Sequence, residues 1–430
     1  MTALVSSPFK PLPERLGRFV VGATLARGGM ARIHVGRSDD GEVVALKVID
    51  PSLEHSAEFV SLFLDEGRVL SAIDHPNVVQ TVEVGFDGAH YIAMELLRGH
   101  TLLETWEAIQ RGKARMSWQL AAWVCARLAA GVQAGHDLQD SEGRGMRVIH
   151  RDVNPANVFL TFPGGVKLID FGLAKSHGQR SKSSPGVVKG KLPYLAPEQA
   201  HNEHFDQRVD IFSIGVTLWE CLTMRRLFRR DTDVLTLRAV QLAEVPDPRA
   251  DAPDLPDDLL AVLARALATY PKDRYGAART LGHDLDTVLE RHGFLEGSQA
   301  LAQYLSEVFP GDAREQESRA GRPRSMPDPD EVTCIQPTPT GAVFAPRRSS
   351  RRLPEAVRDE ATAESMPEVT ATLAASDPAA LERETLPPER PKGVAAAPRE
   401  EPTSRALVTA VVSAVAVALM VWAVSKLLVP

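Results

Sequence analysis

The sequence predicts an α+β fold followed by a long unfolded stretch and a single transmembrane helix. Three observations carry that reading. Residues 18–293 show dense hydrophobic periodicity, strand-like at first and helical afterwards. Between 321 and 404, 14 of 84 residues are proline and aromatics are scarce, so little apolar surface is available to offset the entropy of ordering. From Ala406 to Val424, nineteen residues run without a charge.

With 430 residues, 44% hydrophobic and 24% charged, the chain can bury a large core. A net charge of −7 is mild and argues against nucleic acid as a partner. Cys125, Cys221 and Cys334 are odd in number and far apart, which suits a reducing compartment and gives no metal-ligand spacing. No secretory signal is expected, because Pro8, Pro11 and Pro13 interrupt the opening.

Five segments are expected. Residues 1–17 read as a Pro-containing lead and 18–293 as the folded body. Residues 294–316, with Leu301, Tyr304, Leu305 and Phe309, fit one further amphipathic helix. Residues 317–404 read as a disordered linker and 405–428 as the membrane helix. The charge-free run would span about 28 Å as a helix, close to the hydrocarbon thickness. Lys426 can snorkel and Trp422 can sit at the interface. The expected product is a single-pass, tail-anchored membrane protein with its bulk in the cytoplasm. Ala406, Ala410, Ala414 and Ala418 share one face, a small-residue pattern compatible with a homodimer or with ordinary alanine usage.

Within the body, Leu25-Ala-Arg-Gly-Gly-Met-Ala-Arg-Ile33 lies between the strand-like runs Phe19–Leu25 and Arg32–Gly36. A glycine-rich hairpin there can bring backbone N–H groups over phosphates, or can simply turn the chain. Eleven residues after Gly36, Lys47 sits inside the apolar strand Val44–Ile49. A lysine so placed needs a partner, because burying an isolated charge is costly. Glu66, in the helical pattern Phe63–Leu70, is the natural one.

Further along come Ile149-His-Arg-Asp152-Val-Asn-Pro-Ala-Asn157-Val-Phe159, Leu168-Ile-Asp170-Phe171-Gly172 and Leu192-Pro-Tyr-Leu-Ala-Pro-Glu198. In this order and spacing the chain resembles the eukaryotic-type protein kinases of bacteria, the Ser/Thr kinases, over about 275 residues. The resemblance implies a bilobal fold: an antiparallel sheet with one helix over about 18–96, then a mainly helical lobe, with ATP between them.

It also implies roles. Lys47 would hold the α- and β-phosphates and pair with Glu66, Asp152 would accept the proton of the substrate hydroxyl, and Asn157 and Asp170 would ligate Mg²⁺, or Mn²⁺ in its place. Leu25, Ala26, Gly28, Gly29, Ala31, Ile33, Ala45, Met94, Glu95, Leu97 and Phe159 would line the nucleotide site. The backbone of Glu95 and Leu97 would read the adenine edge, with Met94 as gatekeeper. Asp210 would anchor the catalytic loop, and Arg274 would pair with Glu198.

Three departures from the family pattern stand out. Ala26 and Ala31 replace the outer glycines of the phosphate loop, which suggests a stiffer loop. Asn154 stands where a lysine usually contacts the γ-phosphate. Lys191 stands where a threonine is usual. Lys191 either supplies the charge missing at 154 or is a solvated loop lysine. Pro155 and Pro193-Tyr194-Leu195 favour Ser/Thr over Tyr as acceptor. Because the groups hardest to replace are present, an active enzyme is expected, with a catalytically dead, membrane-tethered scaffold as the alternative.

Arg151 can clamp a phosphorylated loop, whose candidate hydroxyls are Ser176, Ser181, Ser183, Ser184 and Tyr194. Thr333, Thr338 and Thr340, near acidic residues, are candidate docking sites for phosphothreonine-reading domains.

Overall fold

Alternation of side chains along a strand decides which face each residue serves. In Val43–Ile49, Val44, Leu46 and Val48 join Leu16, Phe19, Val21, Tyr91 and Ala93 in one apolar cluster. Lys47 therefore falls on the opposite face, with Ala45 and Ile49. In the computed structural model, which describes residues 12–146, 148–171 and 192–320, this strand is the fourth of six.

The strands are β1 (Arg15–Leu16), β2 (Phe19–Arg27), β3 (Ala31–Ser38), β4 (Val43–Ile49), β5 (Thr81–Phe86) and β6 (His90–Glu95). They form an antiparallel sheet in the order β1-β2-β3-β4-β6-β5. Helix α1 (Ala57–Ser71) buries Leu62, Phe63, Glu66, Gly67, Val69 and Leu70, the i, i+3, i+4 spacing of a helix lying on a sheet. This is the expected first lobe, with one correction. Leu16 is fully buried and β1 pairs with β2, so the sheet begins before residue 18, inside the segment taken as a lead. A two-residue strand is too short to leave a periodic signature.

After β6, a second antiparallel sheet is built from β7 (Gly99–Thr101), β8 (Val158–Thr161) and β9 (Val166–Leu168). Around it lie α2 (Leu102–Gln110), α3 (Trp118–His136), α4 (Pro197–Ala200), α5 (Arg208–Thr223), α6 (Asp233–Gln241), α7 (Asp257–Ala266) and α8 (Ala278–Arg291). Helix α5 is buried from Val209 to Thr223 and is apolar nearly all round, as a helix in the middle of a lobe must be. Its two acids, Asp210 and Glu220, are buried too, and each binds a functional loop described below. Cys125 and Cys221 are buried free thiols; burial raises both pKa values, that of Cys221 to about 12, so neither is a reactive group.

The segment 294–316 holds two helices where the sequence predicts one. Helix α9 (Gly297–Val308) ends at Phe309-Pro310-Gly311, and α10 (Asp312–Ala320) follows. Proline cannot continue the hydrogen-bond ladder, and Gly311 takes a positive φ of 93°. Among the described residues no helix is long and apolar enough to cross a membrane. Helix α10 runs to Ala320, so the first four residues of the stretch taken as linker from 317 are helical; the rest of that stretch and the candidate span Ala406–Val424 lie outside the described residues.

Candidate active site

The cleft between the lobes is closed by ion pairs on Lys47. Its Nζ donates to Glu66 Oε1 at 2.7 Å and also to Asp170. Burial alone would lower the lysine's pKa, but Asp170 and Glu66 outweigh it and hold the ammonium well above its ordinary value. Burial and the neighbouring Asp170 push the Glu66 carboxyl upward, with Lys47 opposing. Two acids thus share one cation, and Asp170, whose side chain is 45% exposed, is the one turned to the open cleft.

Phe171 next to it is buried. It packs at 4.7 Å on the His150 ring and against Gly135, where a Cβ would come within 2.5 Å of the phenyl ring. Glycine at 135 therefore makes room for this inward seat.

The catalytic loop is bound from beneath by a single carboxylate. Asp210 accepts N–H bonds from His150 and Arg151, each at 2.8 Å, and meets His136 Nε2 at 2.7 Å. Arg151 is held at φ 62°, a left-handed conformation that costs a side-chain-bearing residue energy. Two charge-assisted bonds from a fully buried acid over-determine that strained turn. Burial also lowers the pKa of His150, with Asp210 opposing. Its Nδ1 accepts from the Asp152 backbone N–H at 3.2 Å.

Asp152 is thereby set at the base of the cleft, only 7% exposed. Asn157 donates from its amide to the Asp152 carbonyl at 2.8 Å and to the carboxylate at 3.2 Å. With its nitrogen so used, the side-chain oxygen is the end left to meet a cation. The Asn157 carbonyl accepts from Ile169 N–H at 3.1 Å, which brings Asn157 beside Asp170. One carboxylate and one amide oxygen are the donor types that Mg²⁺ takes.

Asn154 takes a different part from the one its position suggests. Its amide nitrogen bonds to the Asp152 carbonyl at 2.8 Å, and its oxygen caps the 3₁₀ turn Pro155–Asn157 by accepting from Ala156 N–H at 3.0 Å. Both ends are spent on backbone, so it braces the loop and does not reach outward. Lys191 and the phosphate-accepting serines proposed between Gly172 and Lys191 lie outside the described residues.

The nucleotide-site residues fall into two groups. Ala45 and Met94 are buried cross-strand partners, Ile33 pairs with Lys47, and Phe159 lies on β8 opposite Thr101. In the glycine loop, Gly28 and Gly29 are exposed at the β2–β3 turn beyond Leu25, and neither has a positive φ. Gly28 N–H bonds to the Ala31 carbonyl at 2.8 Å. Ala26 and Ala31 are buried strand residues, 2% and 6% exposed, and Ala31 packs toward α1. Their methyl groups therefore cost no backbone strain here.

Some site residues gave no motif signal. Tyr194, counted above among candidate phosphate acceptors, is half-buried, with its hydroxyl held between Glu220 (2.8 Å) and Arg226 (2.6 Å). Burial and Glu220 raise its pKa well above the ordinary value. Arg226 in turn lies 4.1 Å over the Trp106 ring. Tyr194 is thus a strut of the loop before Glu198, and not an exposed hydroxyl. The Glu198–Arg274 pair is as expected: two bonds of 2.7 and 2.8 Å, both residues buried, with the guanidinium also held by the Ala268 and Thr269 carbonyls. His136 and Lys167, whose Nζ lies 2.6 Å from the Glu95 carboxylate, sit in unremarkable helix and strand contexts. A lysine at the middle of a three-residue buried strand was the only hint for the latter.

The family model for the protein kinase domain matches residues 19–285. The chain belongs to the protein kinase family. Tyrosine-protein kinase MasK of Myxococcus xanthus is 38% identical over 304 residues, covering 70% of this chain and 47% of that protein. Serine/threonine-protein kinase PknL of Mycobacterium tuberculosis is 34% identical over 287 residues, covering 65% of this chain and 68% of that one. The PknI kinase domain of M. tuberculosis has 26% identity and a TM-score of 0.47, over 67% of this chain and 99% of that one. This kinase chain spans about half the length of MasK. The shared region holds Lys47, Glu66, Asp152, Asn157 and Asp170.

Proposed function

We propose that the chain is an ATP-dependent protein kinase that transfers the γ-phosphate to Ser or Thr hydroxyls of proteins, itself included. The observation that carries this reading is the assembled cleft, with Lys47 bound to both Glu66 and Asp170 while Asn157 holds Asp152. Lys47 binds the triphosphate. Asp152 orients the substrate hydroxyl and takes its proton as the oxygen bonds to the γ-phosphorus and the ADP oxygen leaves. Asn157 and Asp170 would hold Mg²⁺, which when bound would supply charge stabilisation on the transferred phosphoryl group.

Serine/threonine preference is supported by Pro155, by Pro193-Tyr194-Leu195 and by relatives such as PknL. A tyrosine preference is the second reading, favoured by the similarity to the tyrosine-protein kinase MasK and by the absence of the usual lysine at 154. Phosphoamino-acid analysis of the full chain incubated with Mg·ATP separates them. Phosphoserine or phosphothreonine that disappears in Asp170→Asn is the expected result. Phosphotyrosine alone would overturn the acceptor assignment, and nucleotide binding without any transfer would favour the scaffold. Loss of turnover in Lys191→Ala, with nucleotide affinity kept, would support a γ-phosphate contact from Lys191; undiminished turnover removes that idea.

Arg151 is suited to receive a phosphorylated loop residue such as Ser183 or Ser184. Its guanidinium stacks at 5.3 Å on Phe205, and among the described residues its buried Nε has no hydrogen-bond partner. For location, the reading is a single membrane span at Ala406–Val424 with the kinase tethered by a linker of about 90 residues, whose root-mean-square reach is about 50 Å. Dimerisation through the alanine face, and docking of phosphothreonine-reading domains on the linker, belong to the same proposal. Fractionation of the full chain against one ending at Ser404 tests the anchor; equal recovery in the membrane pellet would remove it.

A further inference from the structure

The segment that would read the adenine edge, Glu95 to Leu97, is followed within two residues by Gly99, the first residue of β7. Gly99 leaves no room for a side chain toward β8: its φ is 152°, and a Cβ would lie 2.0 Å from the Leu160 carbonyl oxygen. On its other side stands α10, from the helical extension beyond the family match.

Gln316 of α10 makes a two-bond clasp on one peptide residue. Its Oε1 accepts from Gly99 N–H at 2.9 Å, and its Nε2 donates to the Gly99 carbonyl at 3.1 Å. This is the pairing a neighbouring strand would offer, supplied here by a side chain. Arg98 forms an ion pair with Glu317. His100 meets Asp312 at 3.0 Å and stacks on Phe309 with ring centroids 3.7 Å apart. Three successive residues after the adenine-reading segment, 98 to 100, are each held by the extension. The opposite end is held as well, since Glu95 accepts from Gln80 N–H at 2.8 Å and from Lys167 at 2.6 Å.

We infer that Gln316 is a positioning residue for the nucleotide site, and that α10 completes the hinge rather than merely leading out of the domain. The inference rests on the nucleotide-binding reading above. The backbone N–H and C=O groups that meet adenine are rigid only if the peptides beside them are, and a site held in its bound geometry in advance binds more tightly. None of these groups touches the transferred phosphate. Loss of the clasp therefore weakens nucleotide binding and leaves the chemical step alone.

The test uses the full chain with Gln316→Ala and Gln316→Glu. The second keeps an oxygen for Gly99 N–H but loses the donor to its carbonyl. For Gln316→Ala, affinity for a fluorescent ADP analogue falls about five- to tenfold, KM for ATP rises by the same factor and kcat stays within about twofold. Gln316→Glu lies between it and the parent. Amide hydrogen exchange at residues 97–101, without nucleotide, speeds up about tenfold in Gln316→Ala.

Unchanged affinity and unchanged exchange would overturn the inference, as would a fall in kcat with KM unmoved. If the parent chain binds nucleotide but transfers no phosphate, the kinase reading fails, yet affinity and exchange still decide the role of Gln316.

Discussion

Half-exposed Asp170 opens the Lys47 ion pairs to the cleft, although Glu66 behind it is buried, whereas Asp210 and Arg274 make all their contacts in full burial. The first set joins a strand of one lobe to a helix and to a loop of the other. The second lies inside the helical lobe and ties loops to α5 and to the segment after α7. An ion pair at a cleft mouth can be traded for a ligand's charges at modest cost. A buried one cannot lose a partner without stranding a charge. The upper half of the site is thus exchangeable, and the lower half is scaffolding.

Substitutions can break or sharpen that contrast. The largest effect is expected for Arg274→Leu, which strands the buried Glu198. Stability in urea should fall by about 3–5 kcal/mol. A change under about 1 kcal/mol would deny that the pair is scaffolding. Next is Lys47→Met. Phosphate transfer should drop about a hundredfold or more while the melting temperature moves by only a few degrees, because the buried Glu66, whose carboxyl is already pushed upward, takes up a proton in place of its lost partner. A large loss of stability here would erase the contrast.

Tyr194→Phe removes a hydroxyl from the Glu220–Arg226 network. It should cost about 1–2 kcal/mol in stability, and it should not remove any site of autophosphorylation mapped by mass spectrometry. The smallest effect is Asn154→Ala. It deletes a cap and should destabilise the chain by about 1 kcal/mol with a modest fall in kcat. A thousandfold fall would instead place Asn154 on the substrate.

The strand-like runs at Phe19–Leu25, Arg32–Gly36 and Val44–Ile49 and the helix around Phe63–Leu70 were readable because each buried face repeats with the period of its element, while the two-lobed arrangement came from the resemblance to protein kinases. Lys47 and Glu66 were legible because a charge inside an apolar strand needs a partner, and Asp152, Asn157 and Asp170 because their motifs, in order and spacing, resemble those of protein kinases. The pairing of Arg274 with Glu198 came from the resemblance alone. The supports were harder to read. Asn154 looked like a hole where a lysine belongs, and only three dimensions show both its amide ends closing on the loop backbone. Tyr194 looked like an available hydroxyl because burial between α5 and Arg226 leaves no local mark. The clasp of Gln316 on Gly99 joins residues more than two hundred positions apart, and a polar residue on a polar helix carries no signal of its partner. Likewise β1 was taken for a lead, since two residues cannot display a period.

The central claim is that the cleft performs phosphoryl transfer with Asp152 as proton acceptor. It is tested most directly by measuring γ-labelled phosphate incorporation and nucleotide affinity side by side in the full chain and in Asp152→Asn. The account predicts a loss of transfer of about 10²–10⁴-fold with affinity for Mg·ATP within a fewfold of the parent. Transfer persisting at the parental rate in Asp152→Asn would contradict it.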